Sequence, residues 1–214
     1  MSILQNIITV KSGAPRITIY GKPGVGKTTL AAQFPKPLFL LTEDTELAGI
    51  QALPIVKTFT EMWNNVKELL ALEELPFETI VIDSISKLDS LIVDYILEKE
   101  PIGKNGAQAN TLTAACGGYG AGYQRAASLH GALKSMLDKF KERGITTVYI
   151  SHVATSNVKP PDNEDYTIYN IVMNHDKSRQ VWIDDVDMVG FCRLRSFASE
   201  TESGRTIIRS TDDR

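Results

Sequence analysis

The sequence predicts a three-layer α/β domain with a mainly parallel central sheet, helices on both faces and an antiparallel hairpin near the C-terminal end. Three observations carry that expectation. A glycine-rich stretch, Gly21-Lys22-Pro23-Gly24-Val25-Gly26-Lys27-Thr28, stands between an apolar strand pattern and a helical one. A β-branched run, Thr79-Ile80-Val81-Ile82, is closed by Asp83 and Ser84. Short apolar strand patterns then alternate with amphipathic helical ones as far as Ile150, the rhythm of a sheet built from crossover units.

The glycine-rich stretch is a full match to G-x-x-x-x-G-K-[ST], with Ile17-Thr18-Ile19-Tyr20 as the strand before it and Thr29-Leu30-Ala31-Ala32 as the helix after it. In that context it reads as a P-loop, where main-chain N–H groups surround a triphosphate. Gly21, Gly24 and Gly26 are expected to supply clearance for that close approach. Lys27 offers an ammonium to the β- and γ-phosphates, and the Thr28 hydroxyl can join the shell of a Mg²⁺ ion. The helix from Thr29 to Gln33 adds its N-terminal dipole. The expected nucleotide-binding set is therefore Gly21, Lys22, Pro23, Gly24, Val25, Gly26, Lys27, Thr28 and Thr29, with ATP and Mg²⁺ as ligands. A degenerate glycine turn is the alternative.

A chain of 214 residues is expected to form one domain, 1–214, large enough to bury a core without disulfides. Its 43% hydrophobic and 23% charged content are those of an ordinary globular protein. No run of about 18 apolar residues occurs, so no membrane span is expected, and the cytoplasm is the default address. Cys116 and Cys192 lie far apart, and His130, His152 and His175 lack metal-ligand spacing, which points away from zinc or redox motifs. A net charge of −3 argues against coating duplex DNA, while leaving room for a local basic groove.

Along the chain, Met1–Val10 has no clean period and reads as part of an N-terminal flap over 1–14. Leu38-Phe39-Leu40-Leu41 is a short buried strand that delivers Glu43, Asp44 and Glu46 to its carboxyl end, where ligands of open α/β sheets bind. Glu43, first off the strand, is the candidate general base, whereas Asp44 and Glu46 are expected to cap the next helical turn. Phe59–Leu72 is a helix with Thr60 as its cap. Thr79–Ser84 is the strand whose Asp83 is expected to hold Mg²⁺ through its water shell; the alternative is an N-cap for a helix over Ile85–Lys99.

Pro101–Tyr123 is rich in glycine and holds no acidic residue. It reads as a mobile loop whose Tyr119 and Tyr123 stack on bases while Lys104 and Arg125 meet the backbone of single-stranded DNA, or as a linker with the tyrosines tucked into the core. Gln124–Arg143 is a strong amphipathic helix ended by Gly144, and Ile145–Ile150 is a strand ending in Ser151-His152. His152 is the candidate γ-phosphate sensor. Asn157–Asp165 reads as an exposed loop, and Tyr166–Met173 as a strand. Asn174–Arg179 reads as a polar turn whose Lys177 and Arg179 act either as cationic fingers or as solvated charges. Val186–Arg195 and Arg205–Arg209 are expected to pair as an antiparallel edge around Glu202-Ser203-Gly204.

In the order of these motifs the chain resembles the RecA-like P-loop ATPases, from about Pro15 to Arg209. The resemblance is greatest to small phage-encoded nucleotide-binding proteins of AAA type, some of them single-strand annealing or recombination ATPases. It is similar to that group in Gly118-Tyr119-Gly120, in Ile150-Ser151-His152 and in Trp182-Ile183-Asp184-Asp185-Val186-Asp187-Met188-Val189-Gly190-Phe191. The resemblance implies catalytic roles for Lys27, Glu43 and His152, and metal-holding roles for Thr28 and Asp83. It also implies DNA-binding loops at Pro101–Tyr123 and Ala154–Asp165, and a homo-oligomer. His152 stands where RecA has a glutamine. The function expected is Mg²⁺-dependent ATP hydrolysis coupled to single-stranded DNA in phage recombination or replication. A nucleotide-gated protein-interaction module is the first rival, and a small-molecule kinase the second.

Overall fold

The computed structural model describes residues 13–161, 164–194, 196–200 and 206–210. The expected N-terminal flap therefore lies almost wholly outside the described residues, as does the turn at Glu202–Gly204. The central sheet contains β1 (Arg16–Gly21), β2 (Pro37–Leu41), β3 (Gln51–Ala52), β4 (Thr79–Asp83), β5 (Thr146–Val158) and β7 (Met188–Cys192), in the order β3-β2-β4-β5-β1-β7. Every neighbouring pair along that path is parallel. β6 (Tyr166–Ile171) runs antiparallel to the far half of β5. The helices are α1 (Lys27–Ala31), α2 (Phe59–Ala71), α3 (Ile85–Lys99), α4 (Ala121–Glu142) and α5 (Asp176–Val181).

The inner strands are apolar at successive positions because both their faces are covered. Leu40, Ile80, Ile82 and Tyr149 point into a core shared with α2, α3 and α4. Phe39, Leu41, Val81, Val148 and Ile150 point the other way, into a second core with Ile17, Ile19 and Ala31 of α1. These are the three layers that the alternating pattern predicts.

The structure revises several local expectations. The cap of α2 is Thr58, whose side chain accepts from Glu61 N at 3.2 Å while the Glu61 carboxylate accepts from Lys57 N at 2.7 Å. Thr60 sits inside the helix, because buried Phe59 must share a face with Met62 and Val66. No helix follows Asp44 and Glu46, and the chain instead runs through an irregular stretch into β3. β5 does not end at His152 but continues to Val158, so the expected second loop begins as a β-hairpin. Asn174–Arg179 is not a turn throughout, since α5 starts at Asp176. Val186–Arg195 does not pair with the last strand: β7 lies parallel to β1, and the antiparallel hairpin is formed by β8 (Ser196–Glu200) with β9 (Thr206–Ser210).

The 101–123 segment is anchored at many points. Ala109, Leu112 and Ala115 are buried, Ile102 bridges to Gln108, and Gly117 N donates to Ile102 O at 2.8 Å. Gly122, in the first turn of α4, allows the helix to touch it, since a Cβ there would lie 2.3 Å from Leu112 O. α4 closes at Arg143, followed by Gly144 at φ 78°, as the sequence predicts.

The Trp182–Phe191 stretch binds the end of the chain to its beginning. Trp182 is fully buried, and Thr18 Oγ1 donates to its carbonyl at 2.6 Å. Arg16 N donates to Asp187 at 2.8 Å, its guanidinium pairs with Asp185 at 3.1 Å, and Lys141 pairs with Asp187 at 3.2 Å. The Arg16 backbone N–H is the main reason that the Asp187 carboxyl is pushed down to about 2. No helix among the described residues is long and apolar enough to cross a membrane.

Candidate functional site

Three strand ends and the middle of β5 meet at one edge of the sheet. β1 runs into the P-loop, β2 into Glu43, β4 into Asp83, and β5 carries His152 beside Gly21. The parallel order β2-β4-β5-β1 therefore brings together residues scattered between 21 and 152.

Within the P-loop, Gly24 (φ 74°) and Gly26 (φ 93°) adopt left-handed backbone that other residues resist. The sheet also holds Gly21 to glycine: a Cβ there would lie 2.4 Å from Cys192 O of the neighbouring β7. Its small size serves sheet packing. Lys22, Pro23 and Thr29 are exposed around the loop, and Val25 is half-buried. The Lys27 ammonium is buried, donating to Gly21 O at 3.1 Å and Lys22 O at 2.9 Å, and that burial pulls its pKa below the ordinary lysine value.

Thr28 Oγ1 donates to Asp83 Oδ2 at 2.7 Å. Burial pushes the Asp83 carboxyl above its usual value, and the Thr28 hydroxyl opposes the shift. A buried carboxylate beside a hydroxyl is a hard oxygen pair that suits Mg²⁺ held jointly with phosphate oxygens and water. Among the described residues no cluster of three or more His, Cys, Asp or Glu could hold a metal alone. The N-cap of α3 is Ser84, which accepts from Lys87 N, so Asp83 is left out of the capping role.

Glu43 and His152 meet directly, with His152 Nε2 3.1 Å from Glu43 Oε1. This hydrogen bond is the leading reason that the Glu43 carboxyl sits below its ordinary range; desolvation works against it, while Ser84 and the charges of His152 and Lys27 work with it. A carboxylate accepts, so Nε2 donates to Glu43, and the buried Nδ1 has no partner among the described residues. Asp44 and Glu46 are exposed beyond this pair.

The other candidates stand apart. Tyr119 is 84% exposed, with Lys104 Nζ 4.9 Å from its ring centroid. Tyr123 is engaged, bonded to Thr113 at 3.0 Å and stacked on His175 at 4.9 Å. Arg125 pairs with Glu100 at 2.6 Å. Arg179 turns back onto Ile171 O and Asp176, whereas Lys177 is exposed. A groove of about 660 Å³ between α2 and α4, lined by Trp63, Lys67, Met136 and Arg143 among others, holds none of these groups.

Sequence reasoning missed Thr42. Its N donates to Asp83 O, its hydroxyl accepts from Ser84 N and donates to Ser84 O, each at 2.8 Å, locking the ends of β2 and β4 together. Its place between the strand and Glu43 was the available signal.

A glycine-bent cradle between the first strand and first helix, with an acidic residue on a nearby strand end, defines a P-loop NTPase domain, the ATP-binding domain of the AAA and P-loop superfamily. The chain belongs to the AAA domain family, whose model matches residues 14–213. No curated protein matches it. Among solved structures it is similar to the flagellar accessory protein FlaH from Methanocaldococcus jannaschii, at 10% identity and a TM-score of 0.34, over 78% of this chain and 81% of that one.

Proposed function

We propose that this chain is a Mg²⁺-dependent ATPase coupled to single-stranded DNA in phage recombination or replication. The observation that carries the hydrolytic part is the 3.1 Å hydrogen bond between His152 and Glu43, within electrostatic reach of Lys27 and Asp83. Lys27 and the amides of the Gly21–Thr29 loop bind and orient the triphosphate. Thr28 and Asp83 would hold Mg²⁺, which when bound offsets charge on the phosphate oxygens. Glu43, kept ionised by its hydrogen bond, takes the proton of the attacking water. His152 fixes that carboxylate. Because β5 passes unbroken from His152 to Val158, a shift of this residue reaches the hairpin directly.

The DNA part rests on Tyr119 and Lys104, an exposed ring and a cation placed together as a base and a phosphate require. The phage context rests on the resemblance in Gly118-Tyr119-Gly120, Ile150–His152 and Trp182–Phe191. A homo-oligomer belongs to the same reading, with exposed Lys177 as the available finger across a subunit boundary.

One observation favours the nucleotide-gated protein-interaction reading. The paired strands Val153–Val158 and Tyr166–Ile171 carry no charged residue yet expose Tyr166, Ile168 and Tyr169, a surface suited to protein more than to phosphate. ATP turnover measured with and without a single-stranded oligonucleotide separates the readings. Stimulation supports DNA coupling, and DNA-independent turnover supports the protein partner. Phosphate appearing on a small acceptor supports a kinase. Tyr119→Ala is expected to weaken oligonucleotide binding about tenfold; unchanged affinity removes this segment from the DNA reading.

A further inference from the structure

We infer that Ser86, in the first turn of α3, is a positioning residue for the Glu43–His152 pair, an inference that rests on the ATPase reading of that pair. β4 ends at Asp83, opposite Ile150, so the next residues of β5 lose their neighbour strand on that side. Ser86 takes its place. His152 N donates to Ser86 Oγ at 3.0 Å, Ser86 Oγ lies 2.8 Å from Ser151 Oγ, and Ser151 Oγ donates to His152 O at 3.0 Å.

The donor count fixes the direction of this chain. Ser151 spends its hydroxyl proton on His152 O, so Ser86 must donate to Ser151 while accepting from His152 N. The result is a closed loop of hydrogen bonds that starts and ends on the His152 peptide groups. Ser86 is 8% exposed and Ser151 fully buried, so water does not readily substitute for either hydroxyl. The imidazole that holds Glu43 is thus aimed by a backbone clasped from α3, and Thr42 clasps the Asp83–Ser84 turn in the same way from β2. Through these two hydroxyls the base, its histidine and the metal-side carboxylate share one frame.

Two measurements test this. In steady-state kinetics, Ser86→Ala is expected to lower kcat about 10- to 100-fold with little change in nucleotide affinity, and Ser86→Thr, which keeps the hydroxyl, to restore most of it. Because Ser86 acts through His152, the double variant Ser86→Ala/His152→Ala is expected to be no slower than His152→Ala alone. Additive losses overturn the inference. The second measurement needs no turnover: imidazole ¹⁵N shifts of the nucleotide-free protein at pH 8. The unaltered chain and Ser86→Thr are expected to show His152 fixed with its proton on Nε2, and Ser86→Ala to show averaged tautomers. A single retained tautomer in Ser86→Ala overturns the inference. If the unaltered chain hydrolyses no ATP, the ATPase reading fails while the ring shifts still decide the role of Ser86. Ser151→Ala breaks the next link and serves for both measurements if Ser86→Ala does not fold.

Discussion

Glu43→Gln is expected to bind Mg·ATP as the unaltered chain does and to turn it over about 10²- to 10⁴-fold more slowly. The amide has the shape of the carboxylate but cannot accept the water's proton. It still offers an oxygen to His152 Nε2, so the frame of the site is kept. The acid limb of kcat gives the same carboxylate a second signature. As the proposed base Glu43 would work when ionised, and its hydrogen bond with His152 holds its pKa below the ordinary value. Activity should therefore persist to lower pH than an unperturbed glutamate, near 4.3, allows, and fall only as the pH drops through the lowered value. His152→Ala removes the largest cause of that shift, so the limb should move up. Rates measured from pH 3 to pH 8 on both variants check the pair, and normal hydrolysis by Glu43→Gln would move the base to Asp44 or elsewhere.

The largest loss of stability is expected from Asp89→Asn, far from the P-loop. Asp89 and His130 are buried with Trp182, and their hydrogen bonds leave no spare group. Trp182 Nε1 can only donate, so His130 Nδ1 accepts at 3.1 Å, and Nε2 must donate to Asp89 Oδ1 at 2.9 Å. The second oxygen of Asp89 accepts from both Asn174 N and Asn174 Nδ2 at 2.7 Å. An asparagine places its NH₂ against a donor whichever way it faces. With the NH₂ toward His130 the buried Nε2 goes unpaired, and with it toward Asn174 two donors of that exposed residue lose their acceptor, for a cost of up to about 3 kcal/mol. In a chain of 214 residues that corresponds to a fall in Tm of roughly 6–12 °C. A differential scanning measurement checks it, and a change under about 2 °C would mean that water satisfies the network.

The meeting of the candidate residues at one edge was legible because sheet physics places them. Lys27, Thr28, Glu43, Asp83 and His152 each stand at or just past the carboxyl end of an apolar run, and parallel strands bring such ends to one edge. What failed was pairing at a distance. Val186–Arg195 and Arg205–Arg209 are neighbours in the chain and look like a hairpin, yet Met188 pairs beside Ile17. Long-range contacts, among them burial of Trp182 and the Arg16–Asp187 latch, hold it in that place. The far half of β5 was hidden because Ala154–Val158 shows no apolar alternation, and its partner strand is reached only after Lys159–Asp165. α5 is polar and only six residues long, too short to show a period. Gly21 looked like every other P-loop glycine until β7 was seen against it.

The measurement that tests the account most directly is titration calorimetry of Mg·ATP into the unaltered chain and into Lys27→Ala. The account predicts one site per chain, with heat that disappears when the buried ammonium is removed. Absence of heat in the unaltered chain, or equal affinity in the two proteins, would contradict it.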